Sequence, residues 1–166
     1  MEIDSTFYGT PRRSTVEKWR EIVPEGFLFA AKVPQEVTHE RNLVDTSSEV
    51  ESFVQTMQAL EDRLGPLLLQ LPPSFTVEGM GVLEDFLSTL TQGPRYAVEV
   101  RHSSWLGSDL SALLRERGAA LRHSTTPSRT TSIRCQPQSR STPPSWSTYV
   151  SGSTGGACTA TKAGER

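Results

Sequence analysis

The chain has 166 residues, 35% of them apolar, with 17 basic and 19 acidic side chains. That length fits one domain, while the apolar share is low for a single compact core. No stretch approaches the roughly 18 apolar residues of a membrane span, and no apolar run follows Met1 as in a secretory signal, so a cytoplasmic protein without membrane contact is the expectation.

The elements follow in chain order. "EIDSTFY" (2–8) alternates around Ile3 and is rich in β-formers, which predicts a short strand. In residues 10–23, Ser14 is a candidate N-cap with Glu17 three residues on as its capping-box partner. Val16, Trp19 and Val23 give that helix one apolar face, and Pro24 and Gly26 stop it. "GFLFAAKVP" (26–34) is a near-continuous apolar run, the signature of a strand buried on both faces. Residues 35–46 are polar and irregular and predict a loop. From Ser47 to Gly65, Val50, Phe53, Val54, Met57, Leu60 and Leu64 recur at helical spacing, making this the clearest helix in the chain. "PLLLQLPPSF" (66–75) reads as a second buried strand stopped by Pro72 and Pro73. "GMGVLEDFLSTL" (79–90) reads as a helix and "RYAVEVRHSSW" (95–105) as a strand. "SDLSALLRERG" (108–118) is a helix capped by Ser108 or Asp109, and "AALR" (119–122) starts a fifth strand.

Regular strand–helix alternation argues for a parallel sheet with right-handed crossovers. The repeat of about 30 residues fits a (βα) barrel or a doubly wound sheet. No GxGxxG follows the first strand, which disfavours the dinucleotide-binding version, so the expected fold is α/β, a partial TIM barrel. The blocks "EIDSTFYGTP", "GFLFAAKVPQEVTHER", "LGPLLLQLPPSF" and "YAVEVRHSSW", in this order and spacing, resemble the YecE-like family, whose members are described as uncharacterised TIM-barrel proteins. The resemblance runs from Met1 to about Leu121. It implies a fold and a set of positions, not a reaction. It also implies a strand ahead of "EIDSTFY" and three more strand–helix units after Leu121, neither of which is legible in this chain.

In a βα barrel the site lies where strands end. Glu2 and Asp4 are two apart on a strand and share a face, where paired acids can bind a metal or act as a base. Lys32 closes an apolar strand and is suited to hold an anion, or to form a structural ion pair with Glu99 or a neighbour. His39, Glu40 and Arg41 follow that strand on a loop, and Arg41 suits a phosphate or carboxylate. Gln70, alone among "LLLQLPP", needs partners if buried and so belongs to an internal network or reads a ligand. Glu99, Arg101, His102 and Trp105 form the richest spot. There Glu99 is a candidate general base, His102 an acid or base, and Arg101 and Trp105 the walls of a seat for a sugar or phosphate ester. The same Glu, Arg and Lys side chains also suit a purely structural ion network. No metal site or cofactor is assigned, and GxSxG, P-loop and HExxH motifs are absent from the sequence. The expected partner is a small anionic or sugar-like ligand bound at the strand C-termini. The alternatives are an acid–base or metal-assisted hydrolase or isomerase, and a nucleic-acid-binding module.

The pattern breaks at residue 122. Residues 1–121 hold 18 of the 19 acidic groups and 11 of the 17 basic ones, a balance of −7, whereas residues 122–166 hold six basic groups against one acidic. The −7 balance argues against nucleic acid as a partner of the first part. Residues 122–149 contain no Leu, Phe, Asp or Glu. Both cysteines, Cys135 and Cys158, fall in this second part, without CxxC spacing or a neighbouring histidine. Two domains are therefore expected: a partial barrel over 1–121, and a Ser/Thr-rich tail over 122–166 that is irregular or disordered. A reading-frame shift near Leu121 to His123 accounts for the tail. Shifted by one base, Trp146 to Gly164 admits a β-rich run followed by Leu-His-Gly and Tyr-Gly-Tyr, which resembles a later strand and loop of the family. On this reading the chain is an incomplete, marginally stable and inactive fragment.

Overall fold

The structure, a computed structural model, describes residues 1–122, and the expectations for the tail beyond them lie outside the described residues. Five strands, β1 (Glu2–Ile3), β2 (Phe29–Lys32), β3 (Leu64–Gln70), β4 (Tyr96–Glu99) and β5 (Ala120–Arg122), form one sheet in the order β1-β2-β3-β4-β5. Every neighbouring pair is parallel. Helices α1 (Arg13–Ile22), α2 (Ser47–Met57), α3 (Met80–Thr89) and α4 (Leu110–Glu116) connect successive strands. With the right-handed crossovers that parallel strands adopt, sequential order puts these helices on one face of the sheet. The burial agrees. Ile3, Ala31, Leu67, Leu69 and Val98 point to that face and are buried against Val16, Phe53, Val54, Met57, Leu83, Phe86 and Leu114.

Several local features depart from the sequence expectation. The first strand stops at Ile3. Thr6 Oγ1 donates to the Ile3 carbonyl at 3.0 Å and the Phe7 N–H to the Asp4 carbonyl at 3.1 Å, which winds Ser5–Tyr8 into a 3₁₀ turn. Helix α1 is capped by extended Arg12, whose carbonyl receives the N–H groups of Thr15 and Val16. Ser14 therefore lies inside the helix, and Glu17 pairs with Arg13 at 3.0 Å instead of closing a capping box. Helix α2 gives way at Met57 to a tighter 3₁₀ segment, Gln58–Arg63, that ends through Glu61 at φ 52°. The loop after β2 contains a helical segment, Glu36–Glu40, widened to an i→i+5 bond from the Arg41 N–H to the Glu36 carbonyl at 3.0 Å.

Gly65 matters to the sheet. A Cβ there would stand 2.6 Å from the Phe29 carbonyl oxygen, so β3 reaches its observed distance from β2 because this position has no side chain. The pairing of β2 with β3 shifts register at the same place.

The other face carries the polar groups. Gln70, Glu99 and Arg122 are direct neighbours across β3, β4 and β5. Lys32 pairs with Leu68, two residues before Gln70, and Glu2 with Ala30, two before Lys32, so all five side chains emerge on the same side. Arg122 forms an ion pair with Glu2 at 3.0 Å, although their strands are first and last in the order. Four strand spacings in a flat sheet amount to roughly 19 Å, far beyond the reach of these two side chains. The sheet is therefore strongly curled, and its polar face is the concave one.

Candidate functional site

The curl gathers side chains from all five strands at their C-terminal ends. Lys32 Nζ lies 2.6 Å from Asp4 and 3.3 Å from Glu2. Glu2 also holds Arg122, which reaches Glu99 Oε2 at 3.3 Å. Glu99 Oε1 accepts from Gln70 Nε2 at 3.0 Å and from Arg101 Nε at 3.2 Å. The result is one connected network of three carboxylates and three cations. Its centre is Glu99, a charged residue only 2% exposed. A carboxylate so deep in the protein is tolerated because both oxygens are engaged by donors.

Arg101 gives Glu99 its Nε alone. Among the described residues its two terminal nitrogens have no hydrogen-bond partner, and the side chain is 37% exposed, so the outer fork of the guanidinium is open to solvent. Burial opposes the charge on Lys32, yet the hydrogen bonds to Asp4 and Glu2 and the pull of their charges prevail and raise its pKa above the ordinary lysine value. It is an ammonium at neutral pH.

His39 stands beside this network. Burial first, and then the charge of Arg101, lower its pKa below the ordinary imidazole value. Its Nδ1 lies 2.8 Å from Thr38 Oγ1, and that hydroxyl donates to the Pro34 carbonyl at 3.4 Å. The ring packs edge-on against Phe7, with 5.0 Å between centroids.

The other candidates from the sequence go elsewhere. His102 Nδ1 accepts the Ser104 N–H at 3.1 Å and caps the turn Ser103–Trp105. Trp105 is buried, stacks on Phe75 and donates its indole N–H to the Phe75 carbonyl at 2.8 Å, which makes it part of the core. Arg41 bonds Glu49 at 2.7 Å and the Asp45 carbonyl, bracing a turn in which Asn42, Leu43 and Asp45 all have positive φ. Glu40 lines a cleft of about 410 Å³ with Tyr8, Gln35, Glu36, Ser48 and Glu49, beside the network and not containing it. Arg122 is the member of the network that the sequence reading did not single out. Its one signal was register: it lies two residues beyond Ala120, level with Glu99.

The fold and the polar ends of its strands define a parallel α/β protein with sequentially ordered strands and its charged groups at their C-termini. The chain belongs to the family described as "Protein of unknown function DUF72", which it matches over residues 1–150, beyond the Leu121 limit of the sequence resemblance. UPF0759 protein YecE of Escherichia coli strain K12 is 34% identical over 102 residues, covering 61% of this chain and 38% of that protein. The chain thus spans about two-fifths of the length of this curated relative. Among solved structures, a DUF72 family protein from Enterococcus faecalis V583 superposes with a TM-score of 0.62 at 23% identity, over 72% of this chain and 52% of that one. A second, from Thermotoga maritima MSB8, gives 0.58 at 29% identity, over 70% and 46%. Among the described residues no helix is long and apolar enough to cross a membrane.

Proposed function

We propose that residues 1–122 are the first part of a βα barrel and that its mouth binds a small anionic ligand. What supports the barrel is the curl that brings Arg122 of the fifth strand to Glu2 of the first. What carries the ligand reading is Glu99. Buried, it pairs with both Arg101 and Arg122 and leaves the terminal nitrogens of Arg101 without a partner among the described residues, an arrangement suited to bidentate capture of a phosphate or carboxylate. Lys32 adds a third cation on the same concave face. Because the described cations and carboxylates of the network balance, the anion is taken by direct hydrogen bonds, not by a general positive field.

Titration of the full chain with inorganic phosphate at low ionic strength tests this. Arg101→Gln is expected to weaken binding roughly 10- to 100-fold, the value of a charge-assisted hydrogen bond. Phosphate binding unaltered by both Arg101→Gln and Arg122→Gln would refute the assignment.

We also propose that the chain departs from its reading frame near residue 122. The change of composition and charge there supports this, and the family match through residue 150 weighs against it. The gene sequence across codons 115 to 170 decides: a stop codon shortly after codon 123 in the alternative frame overturns it.

A further inference from the structure

Gln70 is 8% exposed, and its one partner among the described residues is Glu99. The chemistry of that contact fixes the amide. Glu99 Oε1 also receives Arg101 Nε, so it acts as an acceptor, and the Gln70 atom facing it must be the nitrogen. The amide oxygen therefore turns away from Glu99. Among the described residues it has no donor. Gln70 lies at the C-terminal end of β3 on the polar face of the sheet, so its free oxygen is a largely buried acceptor beside Glu99, and a ligand that excludes water there must supply a donor or leave it unserved.

The acceptor sits next to the anion fork. Gln70 Nε2 and Arg101 Nε share Glu99 Oε1 at 3.0 and 3.2 Å, which holds these two nitrogens within about 6 Å of each other. A small ligand whose charged head meets Arg101 therefore has its neighbouring atoms at Gln70. The dianion of a simple phosphate monoester, or a simple carboxylate, satisfies the fork and offers the amide oxygen nothing. A ligand with a hydroxyl two or three bonds from the head satisfies both. Building on the anion reading above, we infer that this mouth selects hydroxylated oxyanions, the phosphate esters or carboxylates of polyols and sugars, and that Gln70 Oε1 reads the hydroxyl.

Matched ligand pairs test it on the full chain: glycerol 3-phosphate against n-propyl phosphate, and lactate against propionate, by calorimetry or ligand-observed NMR. Each hydroxylated member is expected to bind roughly 3- to 10-fold more tightly, the value of one neutral hydrogen bond. Gln70→Met removes the acceptor with little change of volume. It also removes the donor to Glu99, so the readout is the affinity ratio within each pair, which is expected to fall to about one whatever happens to the absolute affinities. Equal affinities within both pairs for the unaltered chain overturn the inference and leave the anion site standing, as does a preference that survives in Gln70→Met. If none of the four ligands binds, both readings fall. Should Gln70→Met not fold, the matched pairs on the unaltered chain decide alone. A preference for the phosphate pair over the carboxylate pair identifies the head group.

Discussion

Replacing Glu99 by Gln keeps the shape of the side chain and removes its charge. Two donors bond this carboxylate, Gln70 Nε2 at 3.0 Å and Arg101 Nε at 3.2 Å, and an Arg122 terminal nitrogen forms an ion pair with it at 3.3 Å. An amide has one oxygen. Placed at Oε1, that oxygen still serves Gln70 and Arg101, but the new NH₂ then faces Arg122, donor against donor. The ion pair with Arg122 is lost outright and the charge-assisted bond to Arg101 is weakened to a neutral acceptor. Arg122 retains Glu2, and Arg101 is 37% exposed on its side chain, so solvent takes up part of the loss. Together the expected destabilisation is about 2–3 kcal/mol. Urea unfolding followed by the fluorescence of Trp19 and Trp105 reads it. At a slope near 1.5–2 kcal/mol per molar, the midpoint falls by about 1–2 M. Pairing Glu99→Gln with Arg122→Met closes a double-mutant cycle with an expected coupling above about 0.5 kcal/mol. A midpoint lowered by less than about 0.3 M, or strict additivity in the cycle, would show that Glu99 does not organise the network.

Gly65→Ala drives a Cβ against the Phe29 carbonyl, where only a backbone shift relieves it, and is expected to destabilise by about 1–3 kcal/mol in the same assay. Gly81→Ala, whose Cβ meets nothing within 4 Å on helix α3, is its control and is expected to stabilise by about 0.5–1 kcal/mol. His39 has a folded pKa below its unfolded one, so the unfolded chain takes up the proton first. Stability is therefore expected to fall as pH drops below the ordinary imidazole value, and His39→Gln to flatten that limb in urea midpoints measured from pH 7.5 to 5. At the alkaline end, burial pushes the Tyr96 phenol up to about 12. The unfolded chain ionises first, and stability is expected to decline from about pH 10 to 12, less steeply in Tyr96→Phe. Lys32 contributes to the same limb, because its stabilisation is complete below the ordinary lysine value and is lost as pH rises through its raised folded one.

The elements read correctly from the sequence were those with one dominant cause. The apolar run of β3 and the i, i+3, i+4 spacing of Val50, Phe53, Val54 and Met57 are signals that burial alone decides. The misreadings had competing causes. The β-formers after Ile3 lose to a hydroxyl that bonds its own backbone, as Thr6 does. The capping-box pattern at Ser14 fails because the helix starts earlier, at Arg13 after extended Arg12, which puts Ser14 inside the first turn, and Glu17 is taken by Arg13. The site was half legible. Parity along the strands puts Glu99 and Gln70 on the polar face, but which cation meets which carboxylate depends on sheet curvature, and no local pattern encodes that. Lys32, set against Glu99 or a neighbour on the sequence, is bound by the neighbours, Glu2 and Asp4. Trp105, read as a site wall, is claimed by Phe75 thirty residues earlier.

The bond between Glu2 and Arg122 joins residues 120 apart. At a translation rate of about 5–20 residues per second, Glu2 is added to the chain roughly 6 to 24 s before its partner. Through that interval β1 through β4 can pair in the order they are made, while the concave face lacks its last cation. The network is therefore completed at the end of synthesis of this part of the chain. A pulse of protease on nascent chains should find β1 protected late, only after the codon for Arg122 has been translated and its residue has cleared the exit tunnel.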